Sequence, residues 1–188
     1  MRKYKAVVIG GSAGSFPLIV NILSKLPKDY PFPVFLALHR LKHIRNGFVE
    51  ALSIKSNIPV IEPVDKQSIK PGIAYLAPSN YHMYVELGNT IALSTDDMVK
   101  YSRPSIDLTF ETASYVYRDK MVGVIVSGAN TDGAEGMRKS KERGAYTIAQ
   151  NIEEATIKTM PDAAIKAAPM DQILTIDEIC KFLISIAQ

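Results

Sequence analysis

The sequence predicts an α/β fold: a doubly wound, mostly parallel sheet of Rossmann-like three-layer form, with an antiparallel hairpin at one edge. Short β-branched runs alternate with longer segments of helical period. Three of these runs stop at polar or glycine-rich junctions: Ala6-Val7-Val8-Ile9 at Gly10, Val34-Phe35-Leu36-Ala37-Leu38 at His39, and Val122-Gly123-Val124-Ile125-Val126 at Ser127. Two alternating runs separated by Gly88-Asn89 mark the hairpin.

Residues 5–9 read as the first strand. The helix after it, 16–26, carries Leu18, Ile19, Ile22, Leu23 and Leu26 as one buried stripe. Residues 27–33 are a loop, 34–38 the second strand, 47–56 a helix and 58–62 a short strand. Lys70-Pro71-Gly72 turns into a strand ending near Ala77, and 81–87 with 90–94 form the hairpin. Residues 105–118 are helical, with Ile106, Leu108, Phe110, Ala113 and Val116 supplying the apolar face. The strand 122–126, helix 133–142, strand 146–149, helix 161–167, strand 173–175 and helix 176–186 complete the chain.

At 188 residues, the span 1–188 is expected to be a single domain with its own core. A hydrophobic content of 47% with 22% charged residues excludes a disordered or fibrous chain. The net charge of +3 is mild and the basic residues are scattered, so nucleic acid is not an expected partner. The single cysteine, Cys180, excludes an internal disulfide and a cysteine-rich zinc site, in keeping with a reducing compartment. The apolar run after the basic N-terminus is too short for a signal core or a membrane span. A cytoplasmic protein without direct membrane insertion is the expectation.

Gly10-Gly11-Ser12-Ala13-Gly14 satisfies G-x-S-x-G, where glycines flanking a serine relieve crowding in a sharp strand-to-helix turn. The stretch is compatible with a nucleophile, with a phosphate or cofactor loop, and with a purely structural turn. A dinucleotide fingerprint needs glycine where Ser12 stands. His39 ends a strand whose carboxyl end shares a rim with Ser12, and Asp132 lies in the third junction. In the functional reading, Asp132 accepts the Nδ1 hydrogen of His39, leaving Nε2 to take the Ser12 proton; in the plain one, Asp132 caps the helix that follows it. His43 and His82 are expected at solvent or edge positions. Neither a metal nor a cofactor is expected, because none of the histidines forms an H-x-x-x-H pair on a helix, His39 ending a strand, and no second ligand cluster accompanies them. Arg103 suits either a substrate contact or a structural ion pair. The alternatives are a nucleotide- or dinucleotide-binding module, with Arg40 near a ribose phosphate, and a catalytically silent receptor-binding scaffold.

With Ile9-Gly10-Gly11-Ser12-Ala13-Gly14, His39, Gly72-Ile73-Ala74-Tyr75-Leu76-Ala77-Pro78, Arg103-Pro104-Ser105-Ile106-Asp107, Ser127-Gly128, Asp132-Gly133-Ala134, Gly144-Ala145, Ala149-Gln150 and Met160-Pro161 in this order, the sequence resembles the catalytic domain of CheB-type protein-glutamate methylesterases. The resemblance runs from Val7 nearly to the end of the chain. It implies Ser12 as nucleophile, His39 as base and Asp132 as the residue that orients it. It also implies hydrolysis of glutamate methyl esters on chemoreceptors or related signalling proteins, with deamidation of glutamine as a related reaction. Ala13, Gly14, Ala129, Asn130 and Arg103 are then the oxyanion and substrate candidates. Two departures stand out: Ala13 where the family usually has threonine, and Ala129 where it has a methionine beside the ester. Because the first strand begins within the first few residues, neither a receiver domain nor regulation by aspartyl phosphorylation within this chain is expected, and a separate regulatory protein is a candidate partner.

Overall fold

The computed structural model describes residues 4–40 and 47–188. In chain order the elements are β1 (Ala6–Gly11), α1 (Phe16–Lys25), β2 (Val34–Leu38), α2 (Phe48–Ser53), β3 (Val60–Ile61), β4 (Gln67–Ser68), β5 (Ala74–Leu76), β6 (His82–Glu86), β7 (Thr90–Ser94), α3 (Ile106–Tyr117), β8 (Met121–Ile125), α4 (Ala134–Glu142), β9 (Tyr146–Gln150), α5 (Thr159–Ala167), β10 (Gln172–Leu174) and α6 (Ile176–Ser185). Seven strands form one sheet in the order β10-β9-β8-β1-β2-β5-β3, and every pairing is parallel.

Both faces of this sheet are covered, which explains why its central strands are apolar without alternation. Val7, Ile9, Leu36 and Val124 pack with α1 and α6 on one face. Ala6, Val8, Phe35 and Ala37 pack with Ile106 and Phe110 of α3 on the other. The expected hairpin is β6–β7, and β4 joins it in a separate three-stranded antiparallel sheet. Met83, Val85 and Ile91 of this small sheet share the core of the α3 face. The two-residue β4 has no period of its own and was not expected from the sequence.

β1 lies between β2 and β8, with α1 and α3 on opposite faces. The carboxyl end of β1 is therefore a point where the sheet changes winding direction, the usual place for a ligand crevice in open α/β sheets.

α3 and α4 cross closely at Gly136. A Cβ there would lie 2.8 Å from both the Cα and the carbonyl oxygen of Asp107. In an exposed helix Gly→Ala is stabilising by about 1 kcal/mol. Here the sign reverses: we expect Gly136→Ala to cost about 2 kcal/mol through overpacking, lowering Tm by about 4 to 8 °C in a thermal melt.

Candidate active site

Ser12 is the first residue beyond β1. The chain reverses there because both the backbone N–H and the Oγ–H of Ser15 donate to the Ser12 carbonyl, at 3.0 and 2.6 Å. The Ser12 N–H donates to the Ser127 carbonyl beyond β8 at 2.9 Å, and the His39 N–H donates to the Gly11 carbonyl at 3.1 Å. The serine backbone is thus fixed between the ends of β8 and β2. Among the described residues, the N–H groups of Ala13 and Gly14 and the Ser12 hydroxyl have no hydrogen-bond partner. The Ala13 carbonyl is occupied by the Ser127 hydroxyl at 2.9 Å. Those free N–H groups stand at the N-terminal end of α1, where the helix dipole favours negative charge.

Asp132 is fully buried, and four donors converge on it. Its Oδ2 accepts from His39 Nε2 at 2.8 Å and from the Ile106 N–H at 2.6 Å. Its Oδ1 accepts from the Asp107 N–H at 2.9 Å and the Ser105 hydroxyl at 3.0 Å. Asp132 therefore caps a helix, but the helix is α3 rather than the one that follows it. Asp107 returns the arrangement: its Oδ1 accepts from the N–H groups of Gly133 and Gly136 at 2.8 and 2.7 Å, and its Oδ2 from Lys100 Nζ at 2.7 Å. Each carboxylate satisfies the orphan donors at the other's helix start.

Burial pushes both carboxyls up. In Asp132 the hydrogen bonds from His39 and from the backbone of Asp107 and Ile106, with the attraction of His39, outweigh burial and hold the group below its ordinary value. In Asp107 burial prevails over the Lys100 pair and the Gly136 N–H, and the neighbouring Asp132 charge adds to it, so the group lies above its ordinary value.

The ring-nitrogen assignment expected from the sequence is reversed. Nε2 of His39 faces Asp132, while Nδ1 lies 3.5 Å from the Ser102 hydroxyl. The sheet order gives the reason. His39 directly follows β2, and Asp132 lies on the loop between β8 and α4, the two strands being two spacings or about 10 Å apart across β1. The imidazole reaches the aspartate only with its distal nitrogen, which leaves Nδ1 without the carboxylate. The His39–Asp132 bond bridges the end of the strand that delivers Ser12.

Asn130 organises the surroundings. Its Oδ1 accepts from the Asp132 N–H at 2.8 Å, and its Nδ2 donates to the Lys100 carbonyl at 2.9 Å and towards the Ser102 hydroxyl at 3.4 Å. Residues 99–102 make a two-residue turn closed by paired backbone bonds between Val99 and Ser102. Arg103 donates to Asn80 Oδ1 and to the carbonyls of Thr95 and Asp96, so it fastens two loops rather than forming an ion pair. Arg40 is buried, pairs with Glu62 and lies over the Phe48 ring. Ala129 is exposed on the rim. A cleft of about 80 Å³ is lined by His39, Arg40, Tyr101, Ser102, Arg103 and Pro104. A larger cavity of about 370 Å³, beside Tyr4 and Phe32, lies at the opposite, amino ends of the strands.

His82 departs from expectation. It is wholly buried, accepting from the Ser105 N–H at Nδ1 (3.0 Å) and bonding the Asp97 carbonyl through Nε2 (3.0 Å). His43 lies outside the described residues. Asp107, Ser105 and Lys100 were not singled out from the sequence as site residues. The Ser105-x-Asp107 pair after Pro104 is an ordinary helix-start signal, and nothing local shows that these groups face a second helix.

Gly128 sits against the serine. A Cβ on it would lie 2.9 Å from Ser12 Cβ and 2.7 Å from the Met160 sulfur. Gly128→Ala is expected to displace Ser12 and lower kcat/KM for ester hydrolysis about 100-fold, measured beside a melt that separates this from unfolding.

The family model described as CheB methylesterase matches residues 7–183. The chain belongs to the CheB methylesterase family. A relative from Leptospira interrogans is 40% identical over 185 residues, covering 98% of this chain and 96% of its own length. A protein of Syntrophus aciditrophicus, named protein-glutamate methylesterase/protein-glutamine glutaminase 2, is 33% identical over 93% of this chain and 52% of its own. A Nitrosospira multiformis protein with the same enzyme name is 35% identical over 95% of this chain and 50% of its own. The chain thus spans about half the length of these two relatives. The crystal structure of the Thermotoga maritima CheB methylesterase catalytic domain superposes with a TM-score of 0.92 at 30% identity, covering 97% of this chain and 98% of that one. This CheB-family likeness does not favour a nucleotide-binding module. Among the described residues, no helix is long and apolar enough to cross a membrane.

Proposed function

We propose that this chain is a serine esterase that removes methyl groups from glutamate γ-esters of methylated chemoreceptors or similar signalling proteins. The observation that carries the reading is the pair of half-buried His39 with buried Asp132 spanning the end of the strand that leads into Ser12. Asp132 holds Nε2–H and fixes the tautomer, so Nδ1 carries the lone pair. The Nδ1 lone pair takes the Ser12 proton as Oγ attacks the ester carbonyl. The resulting oxyanion is bound by the free N–H groups of Ala13 and Gly14 at the start of α1. Collapse of the intermediate expels methanol, which receives the proton from His39. Water, deprotonated by the same nitrogen, then releases the glutamate carboxylate from the acyl-enzyme.

The Ser12 hydroxyl, unpaired in the free protein, engages His39 when substrate fills the cleft, as catalytic hydrogen bonds commonly tighten on binding. A glutamine side chain presents the same carbonyl to the same attack with ammonia as leaving group, which agrees with the double name of the relatives. Arg103 lines the cleft, while Asn130 holds the Asp132 N–H and the 99–102 turn beside it. The test is methanol release from a methylated chemoreceptor cytoplasmic fragment, with wild type and Ser12→Ala in parallel. Release by wild type alone is the expected result; equal release by both removes the serine from the mechanism.

A further inference from the structure

The cleft beside His39 is small, about 80 Å³. A folded protein substrate must therefore be held mainly by the rim. The most exposed large apolar side chain on that rim is Tyr101, at 97% relative accessibility. It stands at the tip of the 99–102 turn, where neither central residue is glycine although both have positive φ, +48° for Lys100 and +63° for Tyr101.

That conformation is held from beneath. The Lys100 ammonium is bound by Asp107 and the Thr131 carbonyl, and the Lys100 carbonyl accepts from Asn130. The groups that brace the turn are thus the ones that build the two helix starts around Asp132. Two further exposed apolar residues, Met98 and Tyr81, lie on loops tied together by Arg103 through Asn80, Thr95 and Asp96. Strained backbone persists where its surroundings over-determine it, commonly at ligand clamps. An exposed tyrosine on a rigid turn offers a large contact area with little side-chain entropy to lose.

Resting on the esterase reading, we infer that Tyr101 is a specificity-determining anchor. It packs on the apolar surface next to the esterified glutamate of a protein substrate, with Met98 and Tyr81 extending the contact. Anchors of this kind typically dominate an interface.

The test uses two measurements on the same methylated receptor fragment. In turnover, Tyr101→Ala should raise KM about tenfold while kcat stays within about twofold, and Tyr101→Phe should restore KM. In binding, the Kd of Ser12→Ala should weaken by a similar factor when Tyr101→Ala is added. Release of methanol with equal Kd in both binding variants overturns the anchor role alone. A fall in kcat at unchanged KM overturns it as well, since that places Tyr101 in the chemistry or in the fold. Failure of wild type to release methanol overturns the esterase reading and the anchor with it.

Discussion

Ser12→Ala should lower kcat for methyl ester hydrolysis by about 10⁶-fold, and His39→Ala by a similar factor. The two together should be no worse than either alone. The reason is that serine and histidine act as one unit: without the hydroxyl there is no proton for Nδ1 to take, and without Nδ1 the hydroxyl is a poor nucleophile. Stability should separate the variants. The Ser12 hydroxyl has no partner in the free protein, so its loss should move stability by less than about 0.5 kcal/mol. His39→Ala withdraws one of the two donors on Asp132 Oδ2 and should cost about 1 to 3 kcal/mol. Single-turnover methanol release together with urea melts on the three variants checks both statements. Additive losses in the double variant would show that the two residues work independently.

The parts of this site legible in the sequence are those carried by strand ends. Apolar runs stopping at Gly10, at His39 and at Ser127 bring Ser12, His39 and, on the loop after β8, Asp132 to the carboxyl ends of parallel strands, and parallel strands share that rim. Strand order was not legible, because it depends on which helix covers which face. The wrong ring nitrogen followed from this: only with β1 between β2 and β8 does the distance require the distal nitrogen of His39. The role of Asp107 was hidden for a related reason. Its Oδ1 is taken by the N–H groups of Gly133 and Gly136, whose approach depends on the absence of a Cβ at 136. His82 looked like a hairpin-edge residue, yet the small sheet packs its strand against α3 and seals the ring. Local patterns locate such residues, and the long-range crossing of α3 with α4 decides what they do.

That crossing makes Asp132→Asn the most informative single change. The carboxylate accepts four hydrogen bonds, two on each oxygen. An amide turns an NH₂ toward one donor pair whichever way it is rotated. With the NH₂ at the Oδ2 position, His39 must accept there, its proton moves to Nδ1, and the Ile106 N–H is left buried without a partner. With the NH₂ at Oδ1, the Asp107 N–H and Ser105 lose their acceptor. The expected cost is about 3 to 5 kcal/mol, a Tm lower by about 10 °C, and a fall in kcat of about 10⁴-fold. Asp107→Asn separates the two effects. It can keep an oxygen toward Gly133 and Gly136 and lose mainly the Lys100 pair, so it should cost less stability and leave His39 with its carboxylate. The pH dependence carries the sign. Since the folded Asp132 carboxyl titrates below its ordinary value, its ionised form contributes stability that is present above about pH 4 and is lost as pH falls through the folded value. The gap between wild type and Asp132→Asn in urea melts should therefore be widest near neutrality and narrow below pH 4. A gap that widens on acidification would mean that the carboxylate is not the form the fold was built around.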